Sequence, residues 1–300
     1  MRTYFFVLLS LLFFTPSKAQ EAGELTSADR DSIWQVEDTL AVLSYTFLND
    51  SLPQNRFASV RKFIPALVRA LKTKNSFSYK FERLPNVSIQ YPADSSFRVF
   101  TWQLYVDVNE YRYYGAIQMN QPELKLFPLR DRSFELEGNL EQQTLSPDNW
   151  YGAVYYNIKE VPTGDKKYYL LFGFDRNELF RQRKVMEVLS FNEKGEAVLG
   201  APIMPGPKGN VKKRLLLEYS AEASIRLNYD EALGIIIYDH LTTINGRYDE
   251  GPVNVGDGSY EGFKITSDGL EYIPKVFNQI SEEPPRPFPV FDDKKKKSGN

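Results

Sequence analysis

The sequence predicts a mainly β protein of the α+β class. An N-terminal αα-hairpin over residues 28–74 precedes a meander-rich antiparallel β domain over 76–280. Three observations carry this reading. The apolar period is three to four residues before Asn75 and two after it, the signatures of helix and strand. The runs after the switch are joined by short turns such as "DVNE", "PTGDK" and "DEAL", which suit antiparallel hairpins and are too short for a helical crossover. Aromatic residues make up 14% of the chain, and flat rings pack well on a pleated surface. A sandwich or an incomplete propeller accommodates the pattern. The rival is an outer-membrane barrel, which the short strands and a polar C-terminal tail disfavour.

The first helix is read from "SADRDSIWQVEDTLAVLSYTFLN". Ile33, Val36, Leu40, Leu43 and Phe47 form its stripe, and Ser27 and Asp29 are candidate N-caps. "NDSLPQ" ends it. Ser51 then caps a second helix with Pro53 in its first turn. Phe57, Val60, Phe63, Ile64, Leu67, Val68 and Leu71 make the second stripe, and Pro65 inside it predicts a bend.

Strands are then expected at "SYKFERL", "NVSIQYP", "FRVFTWQLYVDV", "YRYYGAIQM" and "ELKLFPL". They continue at "NWYGAVYYNIKEV", "KKYYLLFGFD", "RKVMEVLSF", "RLLLEYS", "SIRLNYD" and "GIIIYDHL", and close with "YEGFKIT" and "LEYIPKVF". "DRNELFRQR" is the one run with helical character. Residues 200–213 form a Pro/Gly surface loop. The segment 281–300 is Pro-rich and then Lys-rich, the composition of a disordered tail.

The ends and the composition bound the setting. Arg2, the apolar run "YFFVLLSLLFF" and "TPSKAQ" have the layout of a secretory signal peptide over 1–20, with cleavage expected after Ala19 or Gln20. Its removal leaves 35 basic against 39 acidic residues. That balance gives no reason to expect nucleic acid as a partner. No later stretch is apolar enough to be a membrane span. The absence of cysteine excludes disulfides, thiolate nucleophiles and Cys-based zinc sites. The expected location is periplasmic, cell-surface or secreted.

Candidate chemistry centres on "IIIYDHL", which holds the single histidine, His240, beside Asp239. On a strand, neighbouring side chains point to opposite faces, so Asp239 does not orient His240. A turn centred on Glu231 and Ala232 pairs Leu227 with Ile236 and Ile225 with Tyr238. That register places His240 on the buried apolar face and Asp239 near Arg226 as an ion-pair partner. A lone histidine is nonetheless able to act as acid or base. Glu218, Glu222, Asp239 and Asp257 are the carboxylates weighed for glycan hydrolysis, which needs two facing acids. The segment 245–262 gathers Asp249, Glu250, Asp257 and Glu261 with turn residues, a composition that suits calcium but lacks EF-hand spacing. "SVRK" at 59–62 matches S-x-x-K without its companion motifs. "GDGSYEG" at 256–262 lacks phosphate-loop spacing. No other cofactor is expected.

The combination "NWYGAVYYNI", "KKYYLLFGFDRNELFRQRKVMEVLSF", "RLLLEYSAEASIRLNYDEALGIIIYDHL" and "DGSYEGF" resembles uncharacterised exported proteins of Bacteroidetes-type bacteria over residues 80–277. The resemblance implies export in a diderm envelope. It attaches no activity and transfers no functional residue. The functional expectation is a non-enzymatic binding or structural protein of the envelope, with an envelope protein or a glycan as partner. The alternative is a hydrolase of glycans or another envelope polymer working through paired carboxylates.

Overall fold

A computed structural model describes residues 21–164, 166–246 and 251–277. The expected signal peptide and the tail from 281 lie outside the described residues, as do Asp249 and Glu250 of the calcium expectation.

Helices α1 (Ser27–Asn49) and α2 (Pro53–Leu71) form the hairpin. The N-cap of α1 is Thr26, whose hydroxyl accepts the Asp29 N–H at 3.1 Å. Ser27 is thus the first helical residue, and Asp29 belongs to the first turn. No side chain caps α2. Pro53 sets its first turn, and Asp50 accepts the Leu52 N–H at 2.8 Å. The helix runs on through Pro65, whose missing donor falls on the exposed side.

The strands are β1 (Ser88–Gln90), β2 (Phe97–Asp107), β3 (Glu110–Met119), β4 (Leu126–Arg130), β5 (Val154–Thr163), β6 (Lys166–Asp175), β7 (Arg181–Phe191) and β8 (Ala197–Leu199). They continue with β9 (Met204–Pro205), β10 (Val211–Lys212), β11 (Arg214–Ser220), β12 (Leu227–Asp230), β13 (Ile235–Asn245), β14 (Pro252–Thr266) and β15 (Gly269–Ile273). All pairings between them are antiparallel. The larger sheets have the orders β1-β2-β3-β4, β11-β7-β6-β5 with β8 beside β7, and β12-β13-β14-β15, and none closes into a barrel. Among the described residues no helix is long and apolar enough to cross a membrane.

Three apolar interfaces stack these parts into layers. Phe100, Trp102 and Leu104 of β2 pack on Leu40, Phe47, Phe63 and Leu67 of the helices. Phe97 and Val99, on the opposite face of β2, pack with Tyr155, Leu171 and Val185 of the second sheet. Leu170, Phe172, Met186 and Val188 face the third sheet, where Leu227, Ile236, Tyr238 and Phe263 meet them. The middle sheet is therefore buried on both faces. That is why "YYLLFGF" and "VMEVL" read as nearly continuous apolar runs instead of alternating ones.

Local departures from the expected strands have physical causes. "SYKFERL" forms turns, because residues 76–79 wrap a buried guanidinium. Arg98, fully buried, donates to the carbonyl oxygens of Ser76 (3.0 Å) and Tyr79 (2.5 Å), and to Gln118 Oε1 (2.8 Å). "DRNELFRQR" is the β6–β7 connection and the start of β7. The loop 200–213 carries the two-residue pair β9–β10, and β8 is a short strand that the sequence patterning missed.

Candidate functional site

The Asp239–His240 pair is placed by the hairpin β13–β14. Its entry turn runs from Asp230 to Gly234, one residue further along the chain than expected. Asp230 Oδ1 accepts the N–H groups of Ala232 and Leu233, each at 3.0 Å, and Gly234 adopts φ 67°. That left-handed conformation suits glycine. Leu227 therefore pairs with Tyr238, a slip of two residues from the expected register. A slip of two preserves the face, so Leu227, Ile236 and Tyr238 still share the core side.

A bulge then breaks the alternation. Asp239 pairs with Tyr260 and Leu241 with Gly256, so His240 stands opposite the three residues from Asp257 to Ser259. Gly258, at φ 87°, and the Ser259 N–H and hydroxyl on Asp257 Oδ1 (2.8 and 2.7 Å) fix this geometry. His240 is consequently exposed, which corrects its expected place on the buried face. Its side chain is 46% accessible, and Nδ1 lies 2.8 Å from Asp257 Oδ2. Asp239 is the buried member of the pair. It accepts the Arg226 N–H at 2.5 Å, while the Arg226 guanidinium goes to Asp230. The expected Asp239–Arg226 ion pair is thus a bond to backbone.

Glu261 completes the constellation. Its Oε1 lies 3.8 Å from His240 Nε2, and its Oε2 accepts the hydroxyls of Tyr238 and Tyr272, each at 2.8 Å. Burial and the bond to Glu261 push Tyr272 up to about 12 and raise Tyr238 well above the ordinary tyrosine value. Burial raises the Asp239 carboxyl. At Asp257 burial pulls upward, but the Ser259 and His240 bonds prevail and hold it below the ordinary carboxylate value. The arrangement is an imidazole held by one carboxylate, with a second carboxylate beyond hydrogen-bond reach.

The remaining expected site residues are dispersed. Glu218 pairs across strands with Arg183, accepting from Nε at 2.8 Å and Nη2 at 2.6 Å, and sits beside a hollow of about 40 Å³, room for a few waters. Glu222 is exposed in the turn after β11. For calcium, Asp257 and Glu261 lie on strand β14 and not in a flexible loop, and their oxygens are engaged as above. Among the described residues no group of three ligating side chains is placed to hold a metal ion. Ser59 of "SVRK" is buried and donates to the Arg56 carbonyl at 2.7 Å.

An open concavity lies elsewhere. It is of about 760 Å³ and is formed by the start of β6 and the end of β7 with the turn into β8. Lys166, Lys167, Tyr168, Phe191, Glu193 and Lys194 line it. Lys125 stands at the same turn, its Nζ 3.2 Å from where a Gly195 side chain would begin. The wall at 192–196 is held by its own bonds. Asn192 Oδ1 accepts the N–H groups of Lys194 and Glu196, each at 3.0 Å, and Asn192 Nδ2 donates to Glu196 at 2.9 Å. Phe191 is braced edge-on by Phe97 at 5.4 Å and by Tyr169 at 6.4 Å. Sequence reasoning took "KKYY" only as the start of a strand. Its signal was the Lys-Lys pair beside an aromatic pair at a hairpin end.

No family model, curated protein or solved structure gives a match to this chain.

Proposed function

We propose that the chain is an exported, envelope-associated binding protein that acts without turnover, and that its ligand face is the concavity beside Tyr168, Phe191 and Lys194. The observation that carries this reading is the concavity itself: wide, open to solvent, lined by aromatic rings, lysines and other polar side chains, and bounded by a turn fixed by its own hydrogen bonds. Open surfaces of this kind suit an extended ligand, and a preformed wall reduces the ordering cost of binding. The carboxylates weighed for hydrolysis support the same reading. Glu218 is held by Arg183, Asp239 by a backbone N–H, and Asp257 by Ser259 and His240. Export rests on the layout of residues 1–20.

The test uses the chain secreted from a diderm host. Its intact mass should correspond to a start at Gln20 or Glu21. The mature protein should co-sediment with insoluble envelope polysaccharide, and Tyr168→Ala should weaken this while the protein stays folded, with some stability lost because the half-buried ring packs against the core between the middle and third sheets. Sustained release of soluble saccharide fragments would instead establish the hydrolase reading.

A further inference from the structure

We infer that a second copy of this chain pairs with the free outer edge of β13, giving a two-fold dimer in which the third sheets of the two copies run together.

The edge exists because β12 is much shorter than β13. β12 pairs with Ile235–Tyr238, and the Arg226 carbonyl still accepts the Asp239 N–H at 3.2 Å. β13 runs on to Asn245, and among the described residues no strand pairs with its outer side beyond Asp239. The hairpin end decides which backbone groups face out. The Gly246 N–H donates to the Gly251 carbonyl at 2.8 Å. Hydrogen-bonded pairs alternate along an antiparallel ladder, so Ile244–Val253 and Thr242–Val255 are the bonded ones. The N–H and C=O groups of Leu241, Thr243 and Asn245 therefore point away from β14. Pro252, which has no N–H to offer, stands opposite Asn245 at a non-bonded position.

Other sheet edges are blunted. β1 is three residues long, Pro128 interrupts β4, and Pro162 interrupts β5. Glu218, Asp230 and Glu271 put charge on β11, β12 and β15. Leu241–Asn245 has neither charge nor proline, and Thr242, Thr243 and Ile244 are exposed residues of strand-favouring type. Such an edge is a template for another strand.

The register selects a second copy as that strand. With a two-fold axis at Ile244, Thr243 lies opposite Asn245 of the second copy, and Asn245 opposite its Thr243. Outward backbone groups then meet outward backbone groups, as a self-complementary patch requires. No charged side chain meets its like between Thr242 and Gly246, and the two exposed Ile244 side chains cover one another at the axis. The same axis sets Gly246 of the second copy opposite Thr242, short of Arg226, where the outer side of β13 is already taken. An edge of five residues is too short to bury the roughly 1,200 Å² of a standard stable interface. Association should therefore be weak and depend on concentration.

Sedimentation velocity of the mature full chain, from about 1 μM to about 1 mM, reads the association directly. The expected result is a reversible monomer–dimer equilibrium with no larger species. Ile244→Lys sets two ammonium groups against each other on the axis and should be monomeric throughout the series at low salt. An equal mixture of Ile244→Lys and Ile244→Glu should restore the dimer. Thr243→Pro removes one outward donor and no bond to β14, so it should also abolish the dimer while the chain stays folded. A parent chain that stays monomeric leaves the edge to a strand of another protein and overturns the inference. So does a dimer that survives both Ile244→Lys and Thr243→Pro, a failure of the Lys–Glu mixture to dimerise, or growth into open-ended oligomers.

Discussion

The two halves of the β13–β14 hairpin share one hydrogen-bonded ladder and differ in almost everything else. From Ile236 to Asp239 every residue of β13 is buried, and Ile236, Tyr238 and Phe263 pack against the middle sheet. Past the bulge, Thr242, Thr243, Ile244 and Asn245 are exposed, although they pair regularly with residues 252–255. The backbone ladder carries β13 beyond the core, and burial along β13 stops at the bulge, although Val253 on the partner strand is still covered. Pairing and burial are separate properties of a strand, and His240 sits where they part.

Substitutions that test this division should produce their largest effect in the proximal half. Ile236 is fully buried at the interface between sheets. Ile236→Ala should destabilise by about 2–5 kcal/mol, through lost transfer energy and a residual cavity. Ile244→Ala, at the fourth pair past the bulge, should stay within about 0.5 kcal/mol. Urea unfolding of both variants measures the contrast directly. Equal losses would mean that the distal half is buried by a contact the isolated chain does not make.

The bulge also separates two aspartates whose carboxyls shift in opposite directions. Asp239→Ala removes the buried acceptor of the Arg226 N–H and should lose about 1–3 kcal/mol. The folded-state value of Asp239 is raised by burial. Its contribution is therefore fully present below the unfolded value, about 3.9, and is lost as pH rises through the folded value. Asp257 is lowered, against the pull of burial, by its Ser259 and His240 bonds. It contributes stability above about 3.9, which disappears as pH falls through its lower folded value. Asp257→Asn should therefore flatten the acid limb of a stability–pH profile, whereas Asp239→Asn should gain on the parent protein as pH rises. Profiles that moved in the same direction would show that the bulge does not divide the two environments.

Much of this architecture was legible in the sequence, and the failures are local. The stripe Ile33–Leu40–Phe47 and the stripe Val60–Phe63–Leu67 identify the helical hairpin because a single buried face imposes its own period. The middle sheet gives unbroken apolar runs for the same reason, with two faces buried. The expected register of β12–β13 failed because the left-handed conformation at Gly234 lengthens the turn, and a face-preserving slip leaves no mark on the apolar pattern. The bulge did leave one. Gly256 and Gly258 interrupt a strand, where glycine commonly marks a bulge, but their neighbours Asp257 and Glu261 read as an acidic loop. The concavity was the least legible, since Lys166 and Lys194 come from different hairpin ends and line one hollow only through the β6–β7 pairing.

The smallest effect belongs to His240. Treating His240 as part of the buried face would make His240→Gln cost about 1 kcal/mol, with Asp239 the lesser partner. The bulge reverses that order. His240 is half exposed and its one close bond is to Asp257, itself 32% accessible, so solvent replaces most of what the substitution removes. Glutamine also retains a donor within reach of the Asp257 carboxylate. His240→Gln should therefore cost less than about 0.5 kcal/mol, below the loss expected for Asp239→Ala. It should also leave polysaccharide binding at the concavity, whose lining does not include His240, unchanged. Thermal melts and the polysaccharide co-sedimentation, run on the same sample, decide both points. A His240→Gln loss exceeding that of Asp239→Ala would return the imidazole to a packed environment. Unchanged stability with abolished binding would move the functional site from the concavity to the cluster of Asp257, His240 and Glu261.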